Sequence, residues 1–386
     1  MSGSGPQRVG LNLLFLVPGE TGGAETYARS LIGELSRLEG GPELVAFLNR
    51  EGYQSLSNGG LGAGIEPVKI DVSGRSRLKR VVAEQVALPR WLRRHRIDLV
   101  HSLASTGPLR PGLPSVVTVL DVIYALHGEA HTLAMRTGMR LLVPPAARRA
   151  ERVIAISHSA AAEIADELNV DPAHIDVTQL AGRPLGPATP EPLLRERLGL
   201  GSSPLVLSPS ARRPHKNIGR LIEAFARVGC EPQPALVLPG YATGFEDELV
   251  ETARRFGIAD RIHALGWVTD EDLEGLFAAA RCFVFPSLAE GFGLPVLEAL
   301  ERELPVACSK ISSLPEVAGP AARYFDPYDV ADIAAAIEQL LTDRELAGQL
   351  VEAGRVRASS FSWRRTAQQT LASYRRAWNS SAERAP

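Results

Sequence analysis

The chain alternates short apolar runs with amphipathic stretches along almost its whole length, and this alternation constrains the fold more than any other feature. Runs such as Val9–Val17 and Ser115–Leu120 are typical of buried strands, whereas Ala24–Leu38 has the spacing of a helix with one buried face. A helix between two such strands favours a parallel crossover, because antiparallel neighbours need only a short turn. The sequence therefore predicts an α/β fold built on parallel sheets.

The segment Gly182–Pro192 interrupts this pattern. It contains four prolines and two glycines in eleven residues, a composition that continues neither a helix nor a central strand. A chain of 386 residues is also long for one domain at ~150 residues per domain. We therefore predict two Rossmann-like domains, residues 1–182 and 183–365, with a cleft between them. Further strands are predicted at Leu44–Leu48, Ile65–Ile70, Asp98–His101, Arg152–Ile156, Ile175–Leu180, Leu205–Ser208, Ala235–Pro239, Ile262–Leu265, Cys282–Phe285 and Val306–Ser309, and further helices at Ser157–Leu168, Asn217–Val228, Phe245–Phe256, Glu271–Ala280 and Pro295–Glu301.

Composition indicates an ordinary globular protein and argues against several classes of function. The chain is 45% hydrophobic and 22% charged, and its net charge of −2 gives no reason to expect nucleic acid as a partner. No apolar run reaches the ~18 residues that a membrane span requires. Cys230, Cys282 and Cys308 are too few and too scattered for a disulfide framework or a metal site. We expect a cytoplasmic protein whose cysteines are packing residues.

Basic residues are concentrated between positions 75 and 96, where they alternate with apolar residues. Such a stretch is compatible with peripheral binding to an anionic membrane, here the inner face. It is also typical of a solvated helix face in an arginine-rich protein, and we favour this second interpretation. The basic residues are Arg75, Arg77, Lys79, Arg80, Arg90, Arg93, Arg94 and Arg96.

A turn built to hold an anion follows the predicted strand Cys282–Phe285. Gly291 and Gly293 let the backbone approach a ligand closely, and Pro295 suits the first turn of a helix, where its missing N–H costs nothing. The amides of residues Phe292–Leu294 should then point, unpaired, at whatever lies above the helix start. A helix N-terminus of this kind binds phosphate.

Two carboxylates flank this turn. Glu298, one turn into the helix, is placed to accept hydrogen bonds from the hydroxyls of a ribose, and Glu290, in the loop, can reach the hydroxyls of a different unit. Phosphate between two hydroxyl-bearing groups describes a nucleotide sugar. The alternative is an ordinary strand, turn and helix with two surface glutamates.

The stretch Glu290–Glu298 resembles the donor-binding signature of the retaining glycosyltransferases with two Rossmann-like domains (GT-B fold), specifically glycosyltransferase family four, in which two glutamates stand eight positions apart. The resemblance implies that the second domain binds a nucleoside diphosphate sugar and the first binds an acceptor sugar, glycan or lipid. It also implies that a last helix, around Trp363–Trp378, crosses back to the first domain, so that residues 366–386 belong there. It implies no metal and no cofactor, and we expect activity that survives a chelator.

The loop Ser210–Asn217 resembles the basic loop of this family, in which an arginine and a lysine grip the donor diphosphate. Lys216 matches the lysine, whereas either Arg212 or Arg213 matches the arginine. Such cations lower the barrier to departure of the diphosphate, and one preorganised donor is worth ~3 kcal/mol. The alternative is a capping loop with surface charges.

Two further loops resemble ligand-binding loops of the family. Trp267 and Val268 stand where relatives hold the nucleotide base, although Thr269 or Asp270 also suits the N-cap of a following helix, and both interpretations are compatible. Gly22 and Gly23 resemble the glycine loop of the first domain, which faces the donor phosphate. That loop can also be a tight turn between a strand and a helix.

The chain departs from the family after the predicted strand Ser115–Leu120. Many relatives have a histidine immediately before Asp121, and this chain has Leu120. Asp121 takes over the polar role, or His127 or His131 supplies an imidazole, or the acceptor chemistry differs; we favour Asp121. For His101, at another strand end, we favour a structural role.

These residues predict a retaining glycosyltransferase in which Glu290, Lys216 and Asp121 are the catalytic candidates and Glu290 supports charge near the anomeric carbon. One rival is a non-catalytic subunit that binds nucleotide sugar, suggested by Leu120. A second rival is a glycoside hydrolase that uses Glu290 and Glu298. It is disfavoured because hydrolases need both carboxyls facing one bond at ~5–9.5 Å.

Overall fold

The computed structural model describes residues 5–57, 60–62, 64–127, 133–241 and 246–383. Contacts divide the chain into two compact units. Unit 1 contains the residues up to Ala181 together with those from Ser362, and unit 2 is Gly182–Phe361. The limits predicted after 182 and after 365 fall one and four residues later.

Within the described residues, unit 1 is built on a parallel sheet of seven strands in the order β3-β2-β1-β4-β5-β6-β7. The inner strands β1, β2 and β5 are buried almost throughout, as expected where helices cover both faces of a parallel sheet, whereas the edge strand β3 is mostly half-buried or exposed. They are β1 Arg8–Leu13, β2 Glu43–Leu48, β3 Ile65–Lys69, β4 Leu99–Ser102, β5 Ser115–Val119, β6 Arg152–Ala155 and β7 Ile175–Val177. The helices are α1 Gly23–Leu35, α2 Arg50–Leu56, α3 Arg77–Val82, α4 Leu88–Arg94, α5 Ile123–Leu126, α6 Leu133–Arg149 and α7 His158–Leu168, with a π-helical turn at Ala83–Ala87.

Strand β1 is shorter than the apolar run Val9–Val17 predicts. Leu14 and Leu16 remain fully buried, but the Asn49 side chain donates hydrogen bonds to both of their carbonyl oxygens, at 2.9 and 2.8 Å. A side chain thus replaces the ladder partners of this backbone, and the strand ends at Leu13.

Unit 2 repeats the arrangement with six strands among its described residues, in the order β10-β9-β8-β11-β12-β13. The last strand was not predicted. The strands are β8 Leu205–Leu207, β9 Ala235–Val237, β10 Ile262–His263, β11 Ala280–Phe285, β12 Val306–Ser309 and β13 Ala322–Phe325. The helices are α8 Glu191–Leu198, α9 Ile218–Phe225, α10 Glu246–Arg255, α11 Asp270–Ala279, α12 Leu294–Glu301, α13 Leu314–Ala318, α14 Val330–Thr342 and α15 Arg344–Ala358. Phe245, the predicted first residue of α10, lies outside the described residues.

The helix α16, Trp363–Glu383, follows unit 2 in the chain but packs in unit 1 and extends past the predicted end at Trp378. Its Thr366 hydroxyl donates to the carbonyl of Gln179 at 2.6 Å, and its Ser373 hydroxyl donates to Asp176 at 2.6 Å. Side chains along the length of α16 therefore fix it to unit 1.

Both sheets have the strand order of a Rossmann fold, so the predicted α/β class with two parallel sheets is confirmed. In each sheet, the direction in which successive strands are added reverses beside the strand that comes first in the sequence, which is β1 in unit 1 and β8 in unit 2. The crevices at these switch points lie between β1 and β4 in unit 1 and between β8 and β11 in unit 2. Open parallel sheets bind their ligands outside the carboxyl ends of the strands at these points.

Candidate active site

The loops that follow β8 and β11 meet at the switch point of unit 2. The amide of Leu288 donates to the carbonyl of His215 at 2.7 Å. The Asn217 side chain, buried and in left-handed backbone at φ 59°, donates to the carbonyl of Pro286 at 3.1 Å. These bonds hold the predicted basic loop against the loop between β11 and α12, residues 286–293, which contains Glu290 and is called the glutamate loop below.

Lys216 and Glu290, one from each loop, form an ion pair. The Lys216 Nζ lies 2.5 Å from Glu290 Oε1, and the two side chains are 16% and 11% exposed. Nζ also lies 5.4 Å from the ring centre of Phe285, at the end of β11. Two of the predicted catalytic residues are thus in contact. Because both side chains are largely shielded from solvent, the interaction between their charges is stronger than it would be in water.

Ser312 and Ser313 hold the glutamate loop from the side of β12. The Ser312 hydroxyl donates to the carbonyl of Glu290 at 2.8 Å and accepts from its amide at 3.2 Å. The Ser313 hydroxyl reaches the carbonyls of both Glu290 and Phe292. Neither serine was predicted from the sequence, although both follow β12, the strand next to β11, by only a few residues.

The start of α12 has the predicted geometry. Gly293 precedes the helix at φ 101°, and a Cβ there would come within 2.7 Å of Leu314, so glycine is required. Pro295 lies in the first turn. The backbone amides of Phe292–Leu294 donate no hydrogen bond to any residue that the structure describes. Three amides at this position can receive an anion.

Glu298 is buried one turn into α12, and Arg183 is its partner. The Arg183 Nε donates to Glu298 Oε1 at 2.8 Å, and its Nη1 donates to Asp270 at 2.9 Å. Glu298 Oε2 has no hydrogen-bond partner in the described part of the chain. One carboxylate oxygen therefore orients the side chain and the other is available for a ligand. Arg183 was missed because it lies in the proline-rich segment, where we expected only a domain boundary.

Comparison with known proteins identifies the family. Residues 191–357 match the family described as Glycosyl transferases group 1, and residues 21–179 match Glycosyltransferase Family 4. The MMP alpha-(1->4)-mannosyltransferase of Mycolicibacterium hassiacum is 32% identical over 306 residues, which are 74% of this chain and 72% of that relative. The chain belongs to glycosyltransferase family 4.

A second relative is similar over part of its length. The O-antigen chain mannosyltransferase B of Escherichia coli is 38% identical over 236 residues, and the match covers 58% of this chain and 61% of that relative.

Among solved structures, Anabaena HepE in complex with UDP and glucose has a TM-score of 0.73 at 22% identity, covering 94% of this chain and 98% of HepE. Sucrose-phosphate synthase from Thermosynechococcus elongatus has a TM-score of 0.75 at 20% identity, covering 97% of this chain and 100% of that one. These structures support the predicted GT-B fold.

In this family 4 chain the two candidate arginines have different environments. Arg212 is buried, and its guanidinium donates to the carbonyl oxygens of Leu238 and Leu265, after β9 and β10. Arg213 is exposed and forms no ion pair with a described residue. Arg212 thus ties neighbouring loops together, whereas Arg213 is available to a ligand.

The loop expected to hold the base presents an aromatic surface. Trp267 is 64% exposed and stacks on Tyr241, with ring centres 4.5 Å apart and planes inclined by 26°. Val268 is half-buried beside it. Thr269 accepts a hydrogen bond from the amide of Asp272 and is the N-cap of α11, so the capping interpretation is confirmed. Tyr241 was not foreseen.

In unit 1, Gly22 and Gly23 lie where the loop after β1 leads into α1, at the switch point of the sheet. Gly22 is the N-cap at φ 54° and Gly23 is the first helical residue. A positive φ there favours glycine, which also fits the alternative of a tight turn. The arrangement is compatible with both interpretations.

Asp121 has a structural contact in the segment that follows β5. Its carboxylate accepts a hydrogen bond from the amide of Ile123 at 3.0 Å, at the start of the short helix α5. His127 follows that helix and is half-buried, and His131 lies outside the described residues. The polar role of Asp121 in the transfer stays a prediction.

His101 is fully buried, and the structural interpretation is confirmed. Its Nδ1 lies 2.8 Å from the Tyr374 hydroxyl of α16, and its Nε2 lies 2.7 Å from the Thr118 hydroxyl of β5. Burial lowers the pKa of its imidazole to about 3, so the ring is neutral near pH 7.

In the described part of the chain, no group of three or more His, Cys, Asp or Glu residues is arranged to hold a metal ion. No described helix has both the length and the apolar character needed to cross a membrane.

Proposed function

We propose that this family 4 chain is a retaining glycosyltransferase that moves a sugar from a nucleoside diphosphate sugar to an acceptor. The observation that most supports this proposal is the Lys216–Glu290 ion pair at the switch point of unit 2, next to the unpaired amides at the start of α12. A diphosphate needs cations and amides, and a sugar needs a carboxylate acceptor for its hydroxyls. Both kinds of group meet at this point.

In this proposal, different residues bind the diphosphate, the sugar, the ribose and the base of the donor. Lys216 and Arg213 bind the diphosphate, and the amides of Phe292–Leu294 bind the sugar or a phosphate. Glu290 accepts hydrogen bonds from the sugar hydroxyls, and Glu298 accepts them from the ribose through its available Oε2. Trp267 and Val268, with Tyr241, contact the base.

The transfer breaks the bond between the anomeric carbon and the diphosphate oxygen, and the electron pair leaves with the diphosphate. Lys216 stabilises the charge that develops there. The acceptor oxygen attacks from the face that the diphosphate leaves, and its proton passes to the departing diphosphate oxygen. Configuration is thereby retained, and the step needs no histidine at position 120. Glu290 stabilises positive charge near the anomeric carbon.

The donor is proposed to be a hexosyl nucleotide, with mannose the first to test because two of the relatives are named mannosyltransferases. The acceptor, a glycan, a lipid-linked sugar or a small molecule, is proposed to bind to unit 1. No step of this scheme uses a metal, so turnover in the presence of a chelator should equal turnover without it. A loss of turnover that added Mg²⁺ restores would contradict this part of the proposal.

The test is turnover with a panel of UDP-, GDP-, ADP- and dTDP-sugars, after thermal-shift measurements have selected the nucleotide. Lys216→Ala and Glu290→Gln should each lower kcat by about a hundredfold or more. Arg227→Ala, which removes an exposed cation just after α9, is the matched control and should keep full activity. Full turnover in both site variants would show the assignment to be wrong.

A non-catalytic subunit that binds nucleotide sugar is the second candidate. The observation in its favour is Leu120, together with the contact that already engages Asp121. Such a subunit would show thermal stabilisation by a donor without transfer or hydrolysis. A glycoside hydrolase is disfavoured because Glu290 and Glu298 have separate cationic partners in Lys216 and Arg183.

A further inference from the structure

The basic stretch of unit 1 forms one continuous helical rod, α3, the π-helical turn and α4, whose inner face is anchored. Leu88 and Leu92 are fully buried in a core cluster of unit 1. Glu84, in the π-helical turn, is also buried and accepts hydrogen bonds from Asn12 at 2.7 Å and from Thr106 at 3.3 Å. The inner face is therefore held by both apolar packing and a buried carboxylate.

The outer face of this rod carries an apolar ridge. Leu78, Val82 and Val86 stand four residues apart, which places them along one side of a helix, and they are 77%, 53% and 48% exposed. A single exposed leucine is ordinary in a folded protein. Three aliphatic side chains in one exposed row are not, and they have no function in the proposed transfer.

Exposed cations precede and follow the ridge residues along the chain, and the rod has no exposed acidic residue. Glu84 is the one acidic residue between Asp71 and Asp98 in the sequence, and it is buried. None of the exposed basic residues Arg77, Lys79, Arg90, Arg93 and Arg96 forms an ion pair with a residue of the described ranges. A chain whose net charge is −2 thus presents a strongly positive face at this rod.

We propose that this face binds the surface of an anionic lipid membrane, with the ridge in the headgroup region and the rod parallel to the surface. Aliphatic side chains enter the boundary between headgroups and acyl chains, and long basic side chains reach back to the phosphates. A protein partner would need carboxylates matched to each cation and contacts to specific polar groups. A lipid surface supplies spread negative charge, which this face matches. The proposal does not depend on the donor chemistry of unit 2.

The test is sedimentation of the full chain with vesicles of phosphatidylcholine alone and with vesicles that also contain phosphatidylglycerol, each at low and at high ionic strength. We expect binding to the anionic vesicles that high salt weakens. The variant Arg90→Glu/Arg93→Glu should lower partitioning at least twentyfold, at about fivefold for each cation removed. The variant Leu78→Ser/Val82→Ser should lower it several-fold, including at low salt.

Matched controls make the same changes in unit 2. Arg227→Glu/Arg254→Glu removes two exposed cations there, one just after α9 and one in α10, and Leu193→Ser removes an exposed leucine. These controls should bind vesicles as the unaltered chain does. The melting temperature of every variant checks folding. Absence of binding to anionic vesicles at low salt would overturn the proposal. Equal loss in the unit 2 controls would do so too, as would a stable dimer that Leu78→Ser/Val82→Ser dissociates without any vesicle binding.

Discussion

At the scale of single residues, the side chain proposed to hold the ribose already has a cationic partner. Arg183 binds one oxygen of Glu298 and also bridges to Asp270, so its guanidinium is fixed from two sides. Glu298 is buried, and a buried carboxylate without a partner is costly. Arg183 thus has a positioning role, because it fixes the orientation of the Glu298 side chain.

We predict that Arg183→Ala raises KM for the nucleotide-sugar donor about tenfold, the equivalent of ~1.4 kcal/mol, and changes kcat by less than about twofold. The reason is that the ribose contact is made before and during transfer alike. Arg183→Lys should restore part of the affinity. Steady-state kinetics with Arg227→Ala as the control checks this, and an unchanged KM would refute the positioning role.

The adjacent arginines of the basic loop should behave differently. Arg212→Ala removes buried hydrogen bonds to two carbonyl oxygens and is expected to lower the free energy of unfolding by about 2 kcal/mol. Arg213→Ala removes an exposed cation and should leave stability unchanged, while it weakens binding of a nucleoside diphosphate about tenfold. Urea unfolding and calorimetric titration measure the two effects. The opposite pattern would assign the diphosphate to Arg212.

At the scale of elements, α16 and the strands β4 and β5 share a buried polar network around His101. Its pKa in the folded state, about 3, lies below the 6.5 of an unfolded histidine. Between these two values the unfolded chain binds the extra proton, so its contribution to stability is complete above pH 6.5 and is lost as pH falls.

We predict that His101 alone lowers the free energy of unfolding by about 1.4 kcal/mol for each pH unit between pH 6.5 and about pH 3. His101→Phe replaces the titrating ring with a non-titrating ring of similar size. The unfolding free energy of this variant should depend less steeply on pH, by a slope that corresponds to up to one bound proton. Urea unfolding of both proteins at a series of pH values measures the difference. Parallel curves would show that His101 does not supply this dependence.

Elements were predictable from sequence where local patterns decide them. The apolar runs of β2, β5 and β12 are buried on both faces, and such runs are recognisable as strands in the sequence. Strand β13 was not predicted because Arg323 and Tyr324 interrupt it with half-buried polar side chains. Lys216 and Glu290 followed from their motifs at strand ends. Arg183 acts on a residue 115 positions away, and Ser312 on one 22 positions away, so their roles arise from folding together distant loops.

At the scale of the whole molecule, the two units have separate cores, and the proposed donor-binding residues of unit 2 all lie between Gly182 and Phe361. Unit 1 depends on α16 as well. A chain cut after Phe361 would leave His101, Asp176 and Gln179 without their partners on that helix.

We predict that a chain ending at Phe361 retains nucleotide binding in unit 2 while unit 1 becomes markedly less stable. Buried polar groups that lose their partners cost about 1–3 kcal/mol each. Hydrogen exchange read by mass spectrometry resolves the two units, and β4–β7 should lose protection while β8 and β11 keep it. Equal loss of protection in both units would contradict this independence.

The position of α16 also sets the order of events during synthesis. Unit 2 can fold as soon as Phe361 leaves the ribosome, but the first sheet, although made earlier, waits for a helix that is translated after all of unit 2. At ~5–20 residues per second, the roughly two hundred residues between Ala181 and Glu383 take about ten to forty seconds. Throughout that interval the nascent sheet presents an uncovered apolar and polar surface, which chaperones or proteases can recognise. Unit 1 can therefore complete its folding only after the whole of unit 2 has been translated.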